Sequence, residues 1–233
     1  MRVASTETRA ATVSAISSMA TRELLAELAA SYRGGATVAL ESAGGVEVAR
    51  RIRGGEAFDV IVLADEALAA LESDGHVVRG SVVDVATCGI AVAVASGKPA
   101  PAIATEAALR EALLGSASIG FSTGPSGAHL RRLLERWGLV QALEPRLVQA
   151  PPGVPVASLV ASGRAAIGFQ QASEFLGAPG IRVLGPLPAS VQLDTTFKGG
   201  VGVSARQAGA AREWLAFLAS PDASEAKRRH GMR

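Results

Sequence analysis

The pattern that most constrains this chain is a repeated unit: a short apolar run of β type, a loop of serine and glycine, then a helical segment. Residues 12–16 read as a strand, followed by Ser17-Ser18 and a helix over about 20–32. Residues 37–40 read as a second strand, followed by Ser42-Ala43-Gly44-Gly45 and a helix over 46–53. Residues 59–63 are a third, before a helix that starts near Asp65. Strands that are apolar on both faces belong to a parallel sheet covered by helices on each side. The strand–helix alternation therefore specifies an α/β, doubly wound architecture.

The rhythm changes near Ser81 and then resumes. Residues 90–94 are apolar and end at the turn-rich Gly97-Lys98-Pro99-Ala100-Pro101. A second series follows: a helix over 106–114, a strand over 117–121, a helix over 126–137, a short helix over 156–162 closed by Gly163, and a strand over 165–169. An extended crossing over 191–199 leads to two terminal helices, 205–219 and 222–229, split at Ser220-Pro221. If those helices return to the first unit, the chain crosses between two lobes twice. That reading gives lobe 1 as residues 1–84 plus 195–233, lobe 2 as 85–194, a two-strand hinge, and a ligand cleft between them. Hinge closure around a ligand is a common switching motion. A single contiguous α/β domain is the alternative that periodicity leaves open.

Composition removes several function classes. Hydrophobic residues are 48% and charged residues 19% of 233, which suits a packed core. Aromatics are only 4%, too few for a base-stacking surface, and no nucleic-acid partner is expected. The formal charge is +2, and the one basic cluster (Lys227, Arg228, Arg229, Arg233) reads as a solvated tail. Cys88 is the only cysteine, so an internal disulfide and a cysteine metal cluster are excluded; its apolar surroundings predict burial. His76, His129 and His230 have no metal-ligand spacing. No metal or cofactor is expected, and a monomer is. No run approaches the ~18 apolar residues of a membrane span. The N-terminus is polar, carries Glu7 and lacks an apolar leader core, so a chain that starts here is expected to stay in the cytoplasm.

The loops after the strands share one chemistry. Ser17-Ser18, Ser42–Gly45, Ser122-Thr123-Gly124-Pro125-Ser126-Gly127 and Pro152-Gly153-Val154-Pro155 each precede a helix. Ligands of open α/β sheets bind at the carboxyl ends of the strands. Helix N-termini there offer unpaired N–H groups and a partial positive charge, an environment suited to anions. No Lys or Arg lies within these four loops. The expected site therefore holds a small anion by dipoles and hydroxyls, without a counter-ion.

A family resemblance adds to this reading. Ala15-Ile-Ser-Ser-Met-Ala with Leu24 and Leu28 behind it, Glu41-Ser-Ala-Gly, and Ala49-Arg-Arg-Ile-Arg-Gly-Gly-Glu-Ala-Phe-Asp-Val-Ile-Val-Leu resemble molybdate-binding-like solute receptors. So do Ser122-Thr-Gly-Pro-Ser-Gly, Leu159-Val-Ala-Ser-Gly-Arg-Ala-Ala-Ile-Gly-Phe-Gln-Gln and Phe217-Leu-Ala-Ser-Pro-Asp-Ala. The likeness runs from about Thr12 to near the end. It implies the type II periplasmic-binding-protein fold, a periplasmic location and an ABC transporter permease as partner. It also implies ligand contacts from Ser17 or Ser18, from Ser42, from the backbone around Ser126-Gly127 and from Val154; Gly44 and Ser122 of the same loops and Gln170 complete the expected ligand residues. Molybdate receptors of the best-known kind carry a Tyr after the strand that here ends at Phe169. This chain has Gln170-Gln171, and an amide that both donates and accepts suits a carboxylate at least as well as an oxyanion. The same branch includes receptor-like isomerases of small tricarboxylates such as aconitate.

As an isomerase the chain needs a base beside an acidic C–H. His129, in the first turn behind Ser126, is the expected candidate; Glu174 and Asp194 are weaker candidates, read as surface or hinge residues. Gly120-Phe-Ser-Thr-Gly124 fits a nucleophile-elbow pattern, but Gly124-Pro125 separates the serine from the helix and no acid–histidine pair follows at suitable spacing. Phosphate-binding glycine loops of nucleotide sites are absent.

Overall fold

A computed structural model describes residues 11–233. The polar stretch 1–10, on which the expectation of no leader rests, lies outside the described residues. The first series comprises β1 (Ala11–Ser18), α1 (Arg22–Ser31), β2 (Ala36–Ala43), α2 (Gly45–Arg53), β3 (Val60–Ala64) and α3 (Asp65–Ser73). The second comprises β4 (Val83–Ala95), α4 (Glu106–Gly115), β5 (Ile119–Phe121), α5 (Pro125–Arg136), α6 (Val140–Leu143), β6 (Leu147–Gln149), α7 (Val156–Ala161), β7 (Ile167–Gln171), α8 (Ala172–Phe175) and β8 (Ile181–Pro186). The chain ends with β9 (Asp194–Val201), α9 (Ala208–Ala219) and α10 (Ser224–Arg229).

The strands run in the order β2-β1-β3-β9-β4-β7-β5-β6, with β8 also on β4. β1 pairs in parallel with β2 and β3, and β5 with β6 and β7, as doubly wound units require. The middle differs from a purely parallel sheet: β9 is antiparallel to β3 and β4, and β4 is antiparallel to β7 and β8. The reason is that β4 and β9 are crossings rather than wound strands. β4 is 13 residues long. It pairs with β9 through Gly89 and with β7 from Ile90 onward.

The inner strands β1, β3, β4 and β7 bury both faces, with alternate residues in different cores, whereas β2, β6 and β8 at the margins are only partly covered. Val13, Ala15, Val60 and Val62 meet Leu24, Leu25 and Leu28 of α1 and Trp214, Leu215 and Leu218 of α9. Ile16, Ile61 and Leu63 point the other way, onto Val48 and Ile52 of α2 and Leu68 and Leu71 of α3. In the other half, Ile90, Val92 and Val94 face one core and Ala91 and Ala93 another. At roughly 1.5–3 kcal/mol per fully buried large aliphatic side chain, this alternation fixes the register. Helix α9 therefore does return to pack against β1, β4 and β9, and α10 packs on α1. Cys88 is buried, and burial pushes its thiol pKa up, so it is a packing residue.

Asp59 ties the first unit to the returning chain. Its carboxylate is 3% exposed. Oδ2 accepts from the Ser14 N–H (2.7 Å) and the Ser14 hydroxyl (2.8 Å). Oδ1 accepts from the N–H groups of Arg206 (2.6 Å) and Gln207 (2.8 Å), at the start of α9.

Candidate functional site

The carboxyl ends of β1, β2, β3, β5 and β7 open onto one cavity of about 620 Å³. Residues of the first unit (Ser18, Gly44, Gly45, Asp65) face residues of the second (Ser122, Gly124, Ser126, Val154, Gln170) across it, with Thr195 and Thr196 of β9 also in the lining. No side chain of the described residues caps α2 or α5, and α2 presents Gly45 and Val46 to the cavity. α5 starts at Pro125, which has no N–H to leave orphaned.

Six of the nine expected ligand residues line this cavity: Ser18, Gly44, Ser122, Ser126, Val154 and Gln170. Ser122 and Ser126 form a hydroxyl pair (3.1 Å), and the Gly124 N–H donates to the Ser122 Oγ (3.2 Å). Ser17, Ser42 and Gly127 are not in the lining. Ser17 and Ser42 are register partners on β1 and β2, and their hydroxyls bond each other at 2.9 Å. Ser17 is fully buried, with its Oγ also donating to the Ser18 carbonyl. Gly127 shapes the loop: a Cβ there would sit 1.8 Å from the Ser122 carbonyl oxygen. Its N–H is spent on Gly124, as that of Val154 is on Pro151.

Gln170 is 2% exposed and its amide is oriented by two bonds. Oε1 accepts from the Val156 N–H (2.9 Å), the first residue of α7, and Nε2 donates to Glu174 Oε2 (2.6 Å). Gln171 acts on the hinge. Its nitrogen faces the Cys88 and Gly89 carbonyls (3.1 and 3.2 Å) while its oxygen accepts from the Thr195 hydroxyl (2.9 Å), so it grips β4 and β9 together.

His129, the expected base, is directed elsewhere. It does not line the cavity, and its Nε2 donates to the Val191 carbonyl at 2.8 Å. Burial pushes its pKa down. Glu174 does line the cavity, and burial pushes its carboxyl up to about 7, against the opposing Gln170 hydrogen bond and the Arg22 charge. It is not a surface residue. Asp194 begins the β9 crossing, lines the cavity and pairs with Arg233.

The cavity is also not free of charge, as the loops alone predicted. Arg53 reaches it from the last turn of α2 and Arg132 from the second turn of α5. Arg53 is paired with Asp74 (2.9 Å), whereas Arg132 has no ion pair among the described residues. Asp65 and Glu66 also line it, with Asp65 balanced by Lys198 (3.2 Å). The missed signal was helical periodicity. Gly45, Ala49 and Arg53, and Pro125, Ala128 and Arg132, are spaced to share a helix face with the loop that precedes them.

Known proteins share this arrangement. The family described as bacterial extracellular solute-binding protein matches residues 13–233. An aconitate isomerase from Pseudomonas sp is 34% identical over 187 residues, which is 80% of this chain and 71% of that protein. The periplasmic molybdate-binding protein of Azotobacter vinelandii superposes with a TM-score of 0.78 at 21% identity, covering 95% of this chain and 98% of that one. Peb3 from Campylobacter jejuni does so with a TM-score of 0.72 at 15% identity, covering 95% and 99%. Two α/β units joined by two crossing strands, with the strand ends facing one cavity, are thus the type II periplasmic-binding-protein fold, and the chain belongs to the bacterial extracellular solute-binding proteins.

Proposed function

We propose that this chain captures a small carboxylate-bearing anion between a lobe of residues 1–84 plus 195–233 and a lobe of residues 85–194, which close on it about the β4–β9 hinge. The observation that carries this reading is the cavity itself. At about 620 Å³ it falls in the range of roughly 300–1,000 Å³ usual for organic ligands. Its walls offer hydroxyls, uncapped helix starts and the unpaired Arg132. Ser18, Ser122, Ser126 and the first turns of α2 and α5 are the proposed contacts, and Gln170 presents an amide where an oxyanion receptor carries a Tyr. A Peb3 structure holds L-phospholactate, a small organic anion, on a similar fold. A monomer serving an ABC transporter permease outside the cytoplasm is the corresponding biological setting. No helix of the described residues is long and apolar enough to cross a membrane.

A thermal-shift panel tests the ligand class. Citrate, cis- and trans-aconitate and simple dicarboxylates are compared with molybdate, tungstate and sulfate. A ligand at a hundred times its Kd stabilises by about 2.7 kcal/mol, a rise of roughly 5–10 °C for a chain this size. Stabilisation by molybdate and tungstate alone would assign the cleft to oxyanions instead. No shift with any anion at millimolar concentration would remove the anion reading.

A second reading has specific support. The aconitate isomerase relative and the Glu174 carboxyl, poised near neutrality in the cleft, favour isomerisation of a small tricarboxylate. Incubation with cis-aconitate, followed by proton NMR, tests it; absence of the trans isomer at high protein concentration leaves the binder alone standing.

A further inference from the structure

We propose that Glu174 is the group through which a ligand in this cleft exchanges a proton with solvent, and that a second crevice behind it is the path. The inference rests on the reading of the cleft as an anion site. A crevice on the other side of α8 is lined by Arg22, Glu23, Ser158, Ser162, Ser173 and His230, among others. Among the described residues only Met19, Ala20, Pro155 and Glu174 line both spaces, and of these only Glu174 titrates. The carboxyl group is therefore the one ionisable bridge between the ligand side and the rear.

Its orientation is set. The Val156 N–H fixes Gln170 Oε1, so Nε2 must face Glu174 Oε2. Oε1 has no protein hydrogen bond among the described residues, which leaves it to accept or release a proton. Ser173, next in the chain, anchors α8 to the first unit by donating to the Ala20 carbonyl (2.9 Å). The rear charges are mutually occupied: Arg22 with Glu23 (2.8 Å) and His230 with Glu27 (2.8 Å). On the cleft side stand Arg53, Arg132, Asp65, Glu66 and Asp194, of which only Arg132 and Glu66 lack ion-pair partners among the described residues.

An anion entering the cleft adds a like charge beside a carboxylate that burial already disfavours. Both effects raise the carboxyl pKa. Where the raised pKa lies above the working pH and the ligand-free one below it, binding draws up to one proton from solvent to Oε1, and ligand departure returns it. When the lobes close, the cleft mouth is shut and the rear crevice remains the route.

Isothermal titration with citrate, a saturated tricarboxylate, in two buffers of different ionisation enthalpy measures the protons taken up. At about pH 8 the wild type should take up close to one proton more per citrate than Glu174→Gln, and the difference should vanish near pH 5.5. Equal proton counts in both proteins, each binding citrate, overturn the proposal. Should citrate bind to neither, citrate is not a ligand of this cleft, and the anion reading is decided by the thermal-shift panel. Glu174 itself is then judged by a carbon-13 carboxyl titration of the ligand-free protein. A glutamate midpoint near 7 that Glu174→Gln abolishes supports the assignment, and ordinary midpoints throughout refute it. Ala161→Trp, which fills the exposed wall of the rear crevice, should slow proton uptake relative to citrate binding in a stopped-flow indicator assay; unchanged uptake removes the crevice as the path.

Discussion

Replacing Asp59 by asparagine tests what holds the first unit to its returning helices. The carboxylate receives four hydrogen bonds and leaves neither oxygen free. An asparagine amide can satisfy only one pair of donors with its oxygen. Its NH₂ must face either the two N–H groups before α9 or the Ser14 pair. The second orientation is better, because the Ser14 hydroxyl can rotate to accept, but the Ser14 N–H is then stranded. Hydrogen bonds to a charged group contribute about 1.5–3 kcal/mol each and neutral ones about half that. Three weakened bonds and one lost bond, partly offset by no longer burying a charge, give a net loss of about 3 kcal/mol. For a chain this size that lowers Tm by roughly 6–12 °C. Urea unfolding at pH 7 measures it directly. The pH dependence gives a second check. Burial alone would raise the Asp59 pKa, yet its hydrogen bonds from Ser14, Gln207 and Arg206 prevail and hold it below the usual carboxylate range. Its stabilisation is thus complete above the unfolded-state pKa and fades as pH falls through the depressed folded one. Asp59→Asn should lack that part of the acid dependence. A loss under 1 kcal/mol with unchanged acid sensitivity would refute the reasoning.

Three further outcomes are expected. Arg132→Ala should weaken citrate or aconitate binding about tenfold at low salt and less at high salt, because an exposed unpaired guanidinium at the cleft acts mainly through screened charge; salt-independent affinity in both proteins would take Arg132 out of the site. Gly127→Ala should destabilise the protein by on the order of 3 kcal/mol in urea titrations, since its Cβ meets the Ser122 carbonyl and the loop must shift; a fully stable variant would show that the loop has slack. His129→Ala should cost about 1 kcal/mol of stability through the lost Val191 bond and leave ligand affinity and any isomerisation unchanged, with a hundredfold loss of turnover restoring His129 as the base.

The features legible from sequence alone, and those hidden in it, divide by physical cause. The β–loop–helix units could be read because burying both faces of a strand leaves a contiguous apolar run, and because a chain that turns from strand to helix needs serine or glycine there. The crossing strands could be anticipated as extended segments, but not their direction. Whether β9 lies parallel or antiparallel to β3 depends on where its far end is anchored, and that is decided by α9 packing on β1 and by the Asp59 contacts to Arg206 and Gln207, about 147 residues away along the chain. Side chains that enter the cleft from inside helices were hidden for a different reason. Arg53 and Arg132 lie eight and five residues beyond the loops whose chemistry drew attention, so a reading that stops at the loop finds a neutral site where the fold builds a charged one. Glu174 shows the same effect most sharply. In sequence it is one acidic residue after Gln-Gln-Ala-Ser, with nothing to distinguish it from a surface glutamate. Its character comes from β7 ending at Gln171 and α8 turning at once, which brings the side chains of Gln170 and Glu174 together at the junction of two cavities. A carboxyl group that is ordinary by spacing becomes, by placement, the one ionisable group among the described residues that lines both the cleft and the crevice behind it.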